Sequence, residues 1–234
     1  MIKLKDILNE GVYDPGIFKA IFTAGGPGSG KSFAAATLFG MPEKMPFVSA
    51  KGLKSVNSDK YFENYLKMSG LSQDISNMTP GEFERAMHLR KKSKTVRDAA
   101  LKNYINGRLG LLIDGTGKDY AKIASQKKKL QSVGYDCFMI FVNTDLEVAL
   151  ERNRKRDRTL PEKLVNDSWK SVQNNLGKFQ ALFGSGNMLI VDNSEFKEFP
   201  SVVKKGANEF MSRKIQNPIA KAWIKKEIEL RKKK

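Results

Sequence analysis

The 234-residue chain has a single cysteine, a single histidine and two tryptophans. One cysteine excludes an internal disulfide framework, and Cys137 lies inside the apolar run CFMIFV, where it reads as core rather than as a nucleophile. The single histidine, His88, reads as a packed or surface residue rather than a base. No run approaches the roughly 20 apolar residues that span a bilayer, and the opening MIKLKDILNE lacks the apolar stretch of a secretory signal, so the expectation is a cytoplasmic protein without a membrane partner. Negative charge is also scarce. Lys plus Arg number 42 against 25 Asp plus Glu, a formal charge of +17, which favours anionic partners such as nucleotides and nucleic acids, although lysine-rich solubility would look the same.

What is present is an ordinary globular composition, 40% hydrophobic and 29% charged, long enough for one α/β domain with a full core. Five short apolar runs, at 18 to 24, 53 to 57, 109 to 113, 137 to 142 and 188 to 191, read as buried strands. Helical spacing fills 33 to 39, 60 to 106 around a Gly/Pro/Ser-rich break, 119 to 132, 145 to 156 and 162 to 182. Such alternation predicts a five-stranded parallel sheet flanked by helices, with ligands at the carboxyl ends of the strands. Residues 196 to 234 carry no strand signal and break at Asn217-Pro218, so they read as a basic C-terminal helical extension to a domain spanning 1 to 195.

Gly25-Gly26-Pro27-Gly28-Ser29-Gly30-Lys31-Ser32 matches G-x-x-x-x-G-K-[ST], between the first strand run and the helix-like FAAATLF. Glycines without Cβ let successive N–H groups converge on phosphate oxygens. Lys31 would reach the terminal phosphates of ATP, and the Ser32 hydroxyl would join the Mg²⁺ shell at the helix N-terminus. This loop alone admits motors, GTPases and kinases.

Asp59 follows the second strand run, where a carboxylate can take the proton of an attacking hydroxyl, or simply cap the next helix. Asp114 follows the third, in Asp114-Gly115-Thr116-Gly117, placed to hold the Mg²⁺ shell through water, to bind an acceptor, or to make a turn. The fourth run leads to five cations within 151 to 158, among them Arg152 and Arg156, and then to Pro161; this is the composition of an arginine-rich lid over about 151 to 161.

Taken together, these motifs resemble the zeta-toxin and polynucleotide-kinase branch of P-loop kinases over residues 18 to 193. Asn57-Ser58-Asp59 is similar to the Asn-x-Asp of phage polynucleotide kinases, which implies that Asp59 is a general base. Arg152-Asn153-Arg154-Lys155-Arg156, followed by Leu160-Pro161, is similar to the family's lid, which implies that Arg152 and Arg156 act on the transferred phosphate. Asp114-Gly115-Thr116 resembles the zeta-toxin acidic-Gly-Thr element, which implies acceptor contacts from Asp114 and Thr116. Phe62 stands where the family usually has an acceptor-binding Arg three residues after the Asp. Arg85 is the substitute singled out, among the cations Arg90, Lys91, Lys92 and Arg97 of the same run, all of which also suit a helix surface. Asn193, after the fifth strand run, is expected either to read the adenine edge or to form a turn.

The resemblance implies an ATP-dependent kinase of a hydroxyl, with the 5′-hydroxyl end of a nucleic acid as favoured acceptor. Alternatives are a zeta-toxin-like kinase of a nucleotide-sugar or other small metabolite, and a nucleic-acid-binding protein that keeps ATP only as a ligand.

Overall fold

The computed structural model describes residues 11–42, 48–156, 159–195 and 198–232. In chain order its elements are β1 (Lys19–Ala24), α1 (Lys31–Phe39), β2 (Lys54–Val56), α2 (Asp59–Met68), α3 (Pro80–Asn106), β3 (Leu111–Asp114), α4 (Tyr120–Gln131), β4 (Asp136–Asn143), α5 (Leu146–Arg154), α6 (Glu162–Phe183), β5 (Met188–Asp192), α7 (Ser201–Ser212) and α8 (Pro218–Lys232). The five strands form one sheet in the order β2-β3-β1-β4-β5, with every pairing parallel. The strand that carries the phosphate loop is therefore central, and each parallel step needs a helical return across a face.

Alternation along the strands divides the core. Ala20, Phe22, Ala24, Leu111, Ile113, Met139 and Phe141 point to one face, where Ile123 of α4, Phe179 of α6 and Ala220 of α8 cover them. Ile21, Leu112, Phe138, Ile140 and Val142 point to the other, beneath Leu38 of α1 and Phe210 of α7. Phe138 and Phe210 stack with ring centroids 4.5 Å apart. A smaller cluster of Phe62, Leu66, Leu71 and Ala86 joins α2 to α3 beside the β2 edge. Helix α3 is 27 residues long, and its start is fixed by Pro80 and a capping box in which Thr79 and Glu82 satisfy each other's backbone N–H groups.

The two C-terminal helices are packed parts of this core. Trp223 of α8 meets Phe18 edge-on at 5.5 Å, next to the start of β1 and so at the opposite end of the sheet from the phosphate loop. Lys233 and Lys234 of the basic tail lie outside the described residues, as do Asp157 and Arg158 of the expected lid. Among the described residues no helix is long and apolar enough to cross a membrane.

Cys137 is buried and its thiol is pushed up to about 12 by desolvation, which makes it a packing residue rather than a nucleophile. Lys19 is the other buried titratable group of the strands. Its ammonium donates to the Met211 carbonyl, and burial lowers its pKa from 10.5 to about 8, with Asp136 opposing the shift. The unfolded chain holds this proton up to about pH 10.5 and the folded chain releases it near 8, so this group makes stability rise with pH across that interval. Thermal melts of wild type and Lys19→Met at pH 7 and pH 10 are expected to show the difference between them moving in favour of wild type at the higher pH. A pH-independent difference would mean that Lys19 is not desolvated.

Candidate active site

The turn between β1 and α1 closes against the lid-bearing part of the chain. Gly28 has φ 79° and Gly30 has φ 87°, both in the left-handed region that glycine alone adopts without cost. Space is as restrictive as conformation here. A Cβ on Gly28 would lie 2.3 Å from the Ala149 carbonyl of α5, and one on Gly30 would lie 2.1 Å from the Asn193 amide nitrogen. Gly26 runs beside Trp169 of α6, whose indole N–H donates to the Thr144 carbonyl at 2.7 Å.

The buried Ser29 presents its carbonyl inward, where Thr144 Oγ1 donates to it at 3.0 Å and Asn193 Nδ2 at 2.8 Å. Lys31 opens α1 and its ammonium curls over the loop, donating to the carbonyls of Gly25 at 2.8 Å and Gly26 at 3.1 Å. Asn193, expected either to read the adenine edge or to form a turn, is wholly buried under the loop with its amide on Ser29.

From the loop a connected set of side chains runs across three strand tips. Thr23, near the end of β1, donates from Oγ1 to Asp114 Oδ1 at 2.9 Å. Asn57, just after β2, donates from Nδ2 to Asp114 Oδ2 at 2.7 Å. The side-chain oxygen Oδ1 of Asn57 in turn accepts from the Asp59 backbone N–H at 2.7 Å, which sets the first turn of α2. The Asp59 carboxylate receives Arg90 of α3, Nη1 to Oδ1 at 2.6 Å. Thr23, Lys31, Ser32, Asn57, Lys60 and Asp114 line one cavity. Parallel pairing explains the convergence, because β1, β3 and β2 are neighbours and all end on the same edge.

Thr116 contributes backbone here, its carbonyl accepting from Gly25 N–H at 3.0 Å, while the Asn175 amide fixes the following carbonyls of Gly117 and Lys118. Arg85 lies on the exposed face of α3, and Arg90, one of the cations grouped with it in the sequence, is the one that meets Asp59. Helical phase separates them: Ala86 and Ser93 are buried on the inward stripe, and Arg90 is one turn from each. Thr23 carried no distinguishing signal in the sequence, since a strand-end Thr has many uses, and Asn57 stood out there only through the Asn57-Ser58-Asp59 motif, which does not show its bond to Asp114.

The two ends of the segment expected to act as a lid are tied together. The Asn153 amide donates to the Leu160 carbonyl at 2.8 Å and accepts from the Leu160 N–H at 3.2 Å, so both ends of 153–160 are held by one buried side chain. Arg152 turns back to the Asn193 carbonyl at 2.7 Å, beside Gly30. Arg154 pairs with Glu162 and Lys155 with Glu151 on the surface, and Arg156 is exposed.

At the lid's far end Thr159 donates to Asp74, in the segment between α2 and α3; this bond is the main reason that the Asp74 carboxyl is held below its usual range. Asp74 thus ties residue 159 to the segment between α2 and α3. In Asp74→Ala, trypsin cleavage within 154–156 is expected to rise severalfold while the thermal midpoint stays within a degree or so of wild type. Unchanged cleavage would mean that the bond does not restrain the lid.

The donor set suits a hard divalent ion such as Mg²⁺. Ser32 supplies a hydroxyl and Asp114 a carboxylate to the same cavity, and such an ion takes the rest of its shell from phosphate oxygens and water. Among the described residues no group of three or more His, Cys, Asp or Glu gathers to hold a metal unaided.

The family model named Zeta toxin matches residues 14–201. Among curated proteins no sequence matches. Similar solved structures include the AvrRxo1-ORF1:AvrRxo1-ORF2 complex with sulphate ions, at 15% identity and TM-score 0.57, covering 78% of this chain and 56% of that one. A putative kinase from Chloroflexus aurantiacus aligns at 14% identity and TM-score 0.54, covering 82% of this chain and 97% of that one. The PezAT chromosomal toxin-antitoxin system of Streptococcus pneumoniae aligns at 14% identity and TM-score 0.50, covering 92% and 86%. The chain spans little more than half the length of the AvrRxo1 chain, and at these identities the likeness is one of fold. The family match itself runs from before the first strand to the start of α7 and takes in the phosphate loop, Asp59, Asp114 and residues 151 to 161: the chain belongs to the zeta-toxin family.

Proposed function

We propose that the protein transfers the γ-phosphoryl group of ATP to a hydroxyl, with the 5′-hydroxyl end of a nucleic acid as the favoured acceptor. The observation that carries this reading is the connected set Thr23, Asp114, Asn57 and Asp59, which leads from the strand that bears the phosphate loop to a carboxylate beside it. In the reaction Asp59 takes the acceptor's proton as its oxygen bonds to the γ-phosphorus. The bond from that phosphorus to the β–γ bridging oxygen breaks, and ADP leaves. Lys31 and the loop amides hold the phosphates. Asn57 and Thr23 keep Asp114 and Asp59 in register, and the guanidinium groups of Arg152 and Arg156 lie on the segment that would cover the transferred group. Ser32 and Asp114 would hold Mg²⁺, which when bound neutralises charge developing between the β- and γ-phosphates. Asn193 serves as a buried support of the loop, and a base-reading role for it would require it to leave Ser29.

The nucleic-acid acceptor draws on the charge of +17 and on the lid composition. Membership of the zeta-toxin family favours a second reading, a nucleotide-sugar acceptor, at the same site. Incubation with γ-labelled ATP, 5′-hydroxyl oligonucleotides and UDP-sugars separates them. Label on the oligonucleotides is the expected result, label on UDP-sugars alone would establish the second reading, and label on neither would refute both.

A further inference from the structure

Arg90 is held in place more firmly than its position on a long, mostly exposed helix requires. Its guanidinium lies 5.0 Å from the centroid of the Phe62 ring, and Phe62 is fully buried one turn after Asp59 on α2. The ring is a floor that presses the cation against the carboxylate. Asp59 is the only hydrogen-bond acceptor that Arg90 finds among the described residues, and 27% of the Arg90 side chain is exposed. Lys31 and Lys60 line the neighbouring cavity, so an anion arriving there meets cations on more than one side.

This contact has a chemical consequence if Asp59 is the proton acceptor, the reading on which the inference rests. Through its charge-assisted bond at 2.6 Å, Arg90 competes with any second donor for that oxygen of Asp59. Water and a neutral alcohol offer Arg90 no oxyanion in exchange. A phosphate or carboxylate does, because a guanidinium can pass from one oxyanion to another while keeping its charge-assisted bonds. We propose that Arg90 locks Asp59, and that the acceptor opens the lock with an anionic group, phosphate or carboxylate, carried near its reactive hydroxyl. ATP is thereby shielded from water until such an acceptor arrives, and neutral polyols are excluded.

The test compares wild type, Arg90→Ala, Asp59→Asn and the double variant in two assays. The first is ATP hydrolysis without acceptor, in which the water oxygen bonds to the γ-phosphorus, the bond to ADP breaks and Asp59 takes a proton. The second is transfer to three probes: a 5′-hydroxyl dinucleotide 3′-phosphate, a UDP-sugar and glycerol. Arg90→Ala should raise hydrolysis roughly tenfold, the scale of one charge-assisted hydrogen bond, and raise the KM of the anionic probe by a similar factor or more with kcat less affected. Whichever anionic probe shows this KM shift identifies the source of the anion. Arg90→Lys should fall between, since it keeps charge but loses the fork, and it serves if the alanine variant folds poorly.

Loss of the hydrolytic gain in the double variant is expected and ties the effect to Asp59. Hydrolysis that falls or stays constant in Arg90→Ala, or glycerol phosphorylated by wild type as well as the anionic probes, would overturn the lock. Full activity in Asp59→Asn would instead overturn the underlying assignment of the base.

Discussion

Asp59→Asn is expected to lower turnover by roughly 10²–10⁴-fold while ATP binds as before. The substitution keeps the shape of the side chain and a hydrogen-bonding oxygen, and the first turn of α2 stays set by the bond from the Asp59 N–H to Asn57. What disappears is the capacity to take a proton as the new O–P bond forms. Neither Lys31 nor the loop touches Asp59 in the bonds described above, so nucleotide affinity measured by titration should change by less than about twofold. A parallel loss of ATP affinity would point to a collapsed site, and unchanged turnover would remove Asp59 from the chemistry.

Lys31→Ala attacks the other partner of the reaction. Alanine is an excellent helix former, so the first turn of α1 should persist and the loss should be that of the ammonium. We expect ATP affinity to fall by roughly tenfold and transfer by roughly 10²–10³-fold, the scale for removing one preorganised donor to developing oxyanion charge. The protein carries its own reporter, because Trp169 packs beside Gly26 whereas Trp223 lies against Phe18 at the far end of the sheet. Nucleotide binding should change Trp169 fluorescence in wild type, and the curve should move to higher ATP concentration in Lys31→Ala. Coincident curves with equal turnover would show that the loop is not the phosphate site.

The architecture was legible because the same residues serve twice. The unbroken apolar run that makes 137 to 142 read as a buried strand supplies both faces of the sheet, Met139 one and Phe138 the other, and the observed strand Asp136–Asn143 differs only by a residue at each end. The phosphate loop was legible because its glycines answer to local constraints, a left-handed φ and a close approach. Arg90 was harder to separate from its neighbours. Six cations between 85 and 97 look alike in sequence, and only the phase of α3 against α2, fixed by buried Ala86 and Phe62, selects one of them.

The C-terminal segment shows the same limit from the other side. It read as a basic helical extension to the domain, but Ala220 and Trp223 are core contacts near the start of β1. A strand end bound at Asp59 would have to run roughly 20 Å, the length of β1, to reach α8. Truncation from residue 219 therefore removes core packing along with charge.

The central claim is that one cleft brings a terminal phosphate to Asp59. A structure of the complex with a non-hydrolysable ATP analogue and Mg²⁺ tests it most directly. The account predicts the γ-phosphate between the Lys31 ammonium and the Asp59 carboxylate, with Ser32 and Asp114 on the metal side. A nucleotide seated in the loop with its γ-phosphate directed away from the β2 edge, leaving Asp59 with no path to the phosphorus, would contradict it.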